Sequence, residues 1–149
     1  MPASAKARVC QEVSGDFASL LAGALEGGDA KCLEAYRAAA RETGRRAARR
    51  LREELRLGNS FEDAQVAWEL VSKLSGIKYH IKSEEGRSTF SHMTCPVFER
   101  GGKRLCVNFC IPMVEGMTKE LCPSCGVEVV AEAGDGGLCV KALVRAKKA

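Results

Sequence analysis

Residues 60–93, SFEDAQVAWELVSKLSGIKYHIKSEEGRSTFSHM, change their hydrophobic period in mid-stretch. In the first half Phe61, Ala64, Val66, Ala67, Leu70, Val71 and Leu74 recur at helical spacing. Ser60 can cap that helix, with Asp63 supplying the acid three residues on, and Gly76 stops it. From there the period becomes two. Ile77, Tyr79 and Ile81 alternate with Lys78, His80 and Lys82, the pattern of a half-buried strand. Glu85-Gly86 is a turn, and Ser88 to Met93 reads as the return strand of a hairpin.

Upstream of this stretch the chain reads as helical. Val9 to Glu26 carries Val13, Phe17, Leu20, Leu21 and Leu25 at helical spacing, and Gly27-Gly28 ends it. Asp29 caps a long helix from Ala30 to Leu57, with Leu33, Tyr36, Ala40, Ala47, Leu51 and Leu55 as its apolar stripe. Gly44 interrupts that helix at a cost of about 1 kcal/mol. Downstream, Cys95-Pro96 opens a loop containing Gly101-Gly102, and Lys103 to Leu121 is helical with a start or kink at Pro112. Val127–Ala133 and Leu138–Val144 then read as two strands joined by Gly134-Asp135-Gly136-Gly137. The fold class expected is α+β, a single domain with N-terminal helices packed on an antiparallel sheet built from two hairpins.

A chain of 149 residues can bury a core of its own, and 46% apolar with 28% charged residues is ordinary for a globular protein. No stretch approaches the roughly 20 apolar residues of a membrane span. Met1 to Cys10 lacks the apolar core of a secretory signal, so a cytoplasmic location is expected. In that setting clustered thiols bind metal or do redox work more often than they form disulfides. Of the eight cysteines, Cys95, Cys106, Cys110, Cys122, Cys125 and Cys139 crowd the C-terminal part, while Cys10 and Cys32 read as small buried apolar residues.

Cys122-Pro123-Ser124-Cys125-Gly126 is the sharpest motif. Two intervening residues let both sulfurs face one point, as in the knuckles of zinc and iron–sulfur sites. A redox dithiol and a pair of ordinary thiols are the rival readings. Cys95 and Cys110 are the preferred partners that complete a four-ligand metal site with Cys122 and Cys125. Cys106, His92 and Cys139 are further candidates, and the cofactor expected is zinc or an iron–sulfur cluster. His80 sits at the polar phase of its strand and reads as solvated.

Arg37, Arg41, Arg45 and Arg49 make a line along one helix that could grip phosphates. The plainer reading is a solvated face steadied by Glu42–Arg46, Arg49–Glu53 and Arg50–Glu54 pairs. With aromatics at 5% there is little to stack on bases, so nucleic acid is not an expected partner. No Gly-rich phosphate loop, nucleophile elbow or motif-spaced carboxylate pair is present.

From about Tyr36 onward, the pattern of Gly44, Gly76, Cys106 or Cys110, Gly116 and the run from Ala133 to Cys139 resembles the 4-vinyl-reductase-like sensor domains. The family also commonly has a cysteine where this chain has Ala131. The resemblance implies helices over an antiparallel sheet, a cavity for a small hydrophobic or aromatic molecule, and a cysteine-rich zinc site beside it. On this reading residues 1–28 form an N-terminal helix and 29–149 the α+β domain. The cavity would lie between the helix from Ser60 to Ser75 and the sheet, lined by Trp68, Phe61, Phe90, Met113 and Met117. The same side chains could also simply fill a core. The function expected is a metal-binding module that holds a small hydrophobic ligand as a sensor or accessory. A second copy of the chain is a candidate partner, and a membrane is not. Thiazoline-carboxylate hydrolases have a similar C-terminal pattern, so the alternative is a metal-dependent hydrolase of a small cyclic amide or thiazoline.

Overall fold

The change of period at Gly76 is a change of element. The computed structural model describes residues 3–134 and 136–146. The chain runs α1 (Ala3–Glu26), α2 (Ala30–Leu55), α3 (Phe61–Leu74), β1 (Lys78–Glu84), β2 (Arg87–Thr94) and α4 (Pro96–Leu105). A turn of π-helix (Cys106–Cys110), α5 (Ile111–Leu121), β3 (Cys125–Ala131) and β4 (Val140–Arg145) follow. The strands form one antiparallel sheet in the order β1-β2-β4-β3, so the two hairpins join through β2 and β4. This is the α+β architecture expected, with helices against one side of a sheet.

Local chemistry accounts for the punctuation. Ser60 and Asp63 form a reciprocal capping box at the start of α3. Asp29 accepts a bond from the Cys32 amide at the start of α2. Gly76 takes φ 70°, a left-handed conformation that lets the chain leave α3 and enter β1. The segment after Cys95 differs from the expected loop. It is helical, because Pro96 sits in the first turn where its missing N–H costs nothing, and Gly102 at φ 64° kinks it. The Ile111 amide bonds back to the Cys106 carbonyl, making the π-turn just before Pro112 removes a donor from the ladder. The Asn108 side-chain amide donates to the Arg104 carbonyl at 2.9 Å, occupying an acceptor there.

Packing corrects two stripes. On α1, Leu21 and Leu25 pack inward, one turn apart, while Val13 and Leu20 face solvent. The side chains of Val9, Cys10 and Phe17 lie outside the described set. On α2 the buried line is Ala40, Gly44 and Ala48, and Leu55 is exposed. Small residues win there because α2 lies directly on α5. A Cβ at Gly44 would overlap the Met113 carbonyl oxygen, and one at Gly116 would overlap the Arg41 carbonyl oxygen. The turn Gly134–Gly137 closes with a bridge between its ends, and Asp135 lies outside the described residues.

The arginine line of α2 is ion-paired, though not as the helix spacing suggested. Arg41 meets Glu115, Arg49 and Arg52 meet Glu120, and Arg45 meets Glu42. Glu115 and Glu120 belong to α5, so the pairs of Arg41, Arg49 and Arg52 tie two helices together, while Arg45–Glu42 stays within α2.

Candidate functional site

The main core lies where α3, α5 and the inner face of the sheet meet. Trp68 and Phe90 pack there with ring centroids 5.1 Å apart and planes tilted by 53°, and the Trp68 indole N–H donates to the Thr118 hydroxyl at 2.8 Å. That hydroxyl in turn donates to the Val114 carbonyl at 2.8 Å. The indole is thereby held in one orientation with its polar edge satisfied.

Beside this core is a cavity of about 210 Å³. α3 contributes Trp68 and Val71, the sheet Phe90 and His92, the π-turn Phe109 and Cys110, and α5 Met113 and Met117. Leu21 of α1 and Leu105 of α4 also line it. The lining is mostly apolar, as small-molecule sites usually are. Phe61 is not part of it: this ring is buried in the core with the Arg145 guanidinium 5.2 Å from its centroid. Phe61 lies two helical turns before Trp68, about 10 Å along the axis, so a shared side of the helix does not bring them to one cavity.

One charged residue reaches the wall. Lys141 of β4 is 4% exposed and pairs in register with Phe90. Its ammonium has the Cys110 sulfur 3.8 Å away, and no carboxylate among the described residues pairs with it. Burial favours the neutral amine, but negative charge on Cys110, Cys139, Cys95 and Cys106 would outweigh it and turn the net shift upward. Burial also pushes Cys95 and Cys139 up, and Cys106 up to about 12, so these three remain thiols at neutral pH. Their upward pull on Lys141 therefore appears only in alkali. His92 also lines the cavity. Its Nδ1 is buried without a partner, and burial, then the charge of Lys141, lowers its pKa to about 4.

The structure divides the cysteines of the expected metal site. Cys122 and Cys125 are joined to each other as a disulfide and sit in the main core. Cys95, Cys106, Cys110 and Cys139 lie apart from them, around a second cavity of about 10 Å³ that also touches His92 and Lys141. Cys110 lines both cavities. Cys32 is exposed rather than a small core residue. Among the described residues, no group of three or more His, Cys, Asp or Glu side chains is placed to hold a metal ion. Lys141 is the residue that sequence reasoning missed. In Leu138–Val144 it sits between apolar neighbours and reads as the solvent-facing position, whereas the register with Phe90 turns it inward.

No family model and no curated protein matches the chain. Among solved structures, it is similar to the crystal structure of a trafficking protein particle complex subunit 3 from Naegleria fowleri covalently bound to palmitic acid. The match has a TM-score of 0.61 and 13% identity, covering 92% of this chain and 97% of that one. This finding overturns the resemblance to 4-vinyl-reductase-like domains. Together with the divided cysteines, it also overturns the metal-binding sensor and the metal-dependent hydrolase. Among the described residues no helix is long and apolar enough to cross a membrane. What the similarity establishes is a shared α+β fold.

Proposed function

We propose that this protein is a non-catalytic subunit that works through protein partners and holds a fatty-acyl chain in the cavity beside Trp68. The observation that carries the reading is Lys141. A buried ammonium without a carboxylate costs several kcal/mol, and an apolar cavity gives it no compensation. A fatty acid brings both what the walls and the lysine lack: methylenes for Trp68, Phe90 and Met117, and an anionic head for the ammonium. The neighbour of known structure supports the choice of ligand class, since it was solved with palmitic acid attached and is named as a subunit of a complex.

The test is a titration of the full chain with octanoate, followed by the fluorescence of Trp68, the single tryptophan. Saturable quenching or shift is expected, with a rise in melting temperature. Lys141→Met should weaken binding about tenfold, the loss of one partly buried charge pair, while leaving the ligand-free protein equally or more stable. No response of Trp68 and no thermal shift at millimolar octanoate would sink the reading.

A further inference from the structure

We propose that Cys110 and Lys141 form an acyl relay, in which the thiol captures an acyl group and the amine then takes it over as a permanent amide. The inference rests on the acyl-cavity reading and adds a covalent modification site to it. Two independent observations meet at the cavity wall. Cys110 is partly exposed and lines the apolar cavity, so it can meet an incoming acyl group. Lys141 is 4% exposed, lines the same cavity, and has that sulfur 3.8 Å from its nitrogen.

The chemistry needs one co-reactant, an acyl thioester donor. The Cys110 sulfur attacks the carbonyl carbon of the donor, and the bond from that carbon to the donor sulfur breaks. The Lys141 ammonium gives one proton to the departing thiolate and takes up the proton of Cys110 in its place. The acyl group is now on Cys110, with its chain in the cavity and its carbonyl beside the lysine nitrogen. The ammonium loses one proton to solvent, the amine then attacks that carbonyl, the bond to the Cys110 sulfur breaks, and the sulfur leaves with a second proton released from nitrogen. Donor thioester and lysine amine become amide and free thiol, with no oxidant or reductant involved.

Three features favour the second step. An amine held near a thioester reacts as if present at very high concentration, because the encounter is already made. Burial assists the ammonium in losing the proton that frees the nucleophilic amine, opposing the upward pull of any charge on the cysteines. Acylation also removes Cys110 as a source of negative charge that would hold the lysine protonated. Cys95, Cys106 and Cys139 line only the smaller second cavity, so they do not compete for the chain.

The experiment incubates the full chain with octanoyl–coenzyme A and reads intact mass and mapped peptides before and after hydroxylamine, which cleaves thioesters but not amides. In the unaltered protein the adduct is expected to survive hydroxylamine and to map to Lys141. Cys110→Ser should lower that adduct about tenfold or more, because the captured intermediate is lost. Lys141→Arg should leave a hydroxylamine-labile adduct on Cys110. A wholly labile adduct in the unaltered protein overturns the relay, and so does Lys141 acylation that Cys110→Ser leaves unchanged. If Cys110→Ser fails to fold, Cys110→Ala takes its place with the same fall expected, and Lys141→Met likewise replaces Lys141→Arg. Octanoate that binds reversibly without any adduct defeats the relay and leaves the cavity reading standing. Absence of both binding and adduct defeats the two together.

Discussion

His92 is a neutral imidazole at physiological pH, since burial and the nearby Lys141 charge lower its pKa to about 4. Its ordinary value is 6.5, so between the two the unfolded chain binds a proton that the folded chain refuses. The stability this neutral state contributes is fully present above about pH 6.5 and is lost as pH falls towards 4. Each pKa unit is worth about 1.4 kcal/mol, so the loss is at most about 3 kcal/mol. Urea unfolding at pH 7, 5.5 and 4.5 should show this slope, and His92→Gln should flatten it. An identical slope in the variant would assign the acid sensitivity elsewhere. Asp63 acts in the same pH direction, because the Ser60 hydroxyl holds its carboxyl below the usual range, and comparison with the variant separates the two.

Helix packing turns on two glycines that the sequence reads only as interruptions. Gly44 of α2 and Gly116 of α5 are buried, and each backs onto a carbonyl of the opposite helix. In an exposed helix, glycine to alanine gains about 1 kcal/mol. Here the methyl has no room, and overpacking of a close helix contact costs about 1–3 kcal/mol or more. Gly44→Ala and Gly116→Ala are therefore expected to destabilise, whereas Gly23→Ala, where a Cβ meets nothing, should not. A thermal melt of the three variants checks the sign. The Arg41–Glu115 and Arg52–Glu120 pairs across the same interface are half-exposed and add little by comparison.

Cavity size bears on the ligand at the scale of the whole molecule. A methylene takes up about the share of a water molecule, about 30 Å³, so 210 Å³ has room for about seven of them. Each buried methylene adds about 0.8 kcal/mol, a factor of about four in affinity. Affinity along a series of straight-chain fatty acids should therefore climb to about eight carbons and then level off. Competition against the octanoate signal of Trp68 would measure this. A climb that continues to palmitate would mean that the chain runs on beyond the cavity, past Leu21 or Leu105 on its wall.

Much of the architecture is written locally, and it was legible for that reason. The capping box at Ser60, the switch of period at Gly76 and the two hairpins each depend on neighbours in sequence. Trp68, Phe90, Met113 and Met117 stand on the cavity wall because their spacing within α3, β2 and α5 follows the periods of those elements. Other facts depend on which elements meet. The pairing of β2 with β4 turns Lys141 inward, and the π-turn before Pro112 sets Cys110 on the wall of both cavities. The disulfide of Cys122 with Cys125 leaves the other cysteines to a separate cavity, so crowding in sequence did not become one site. Local sequence carries capping, periodicity and turns because these energies act within a few residues. A buried charge and the partner of a thiol are decided only when distant segments exclude water between them.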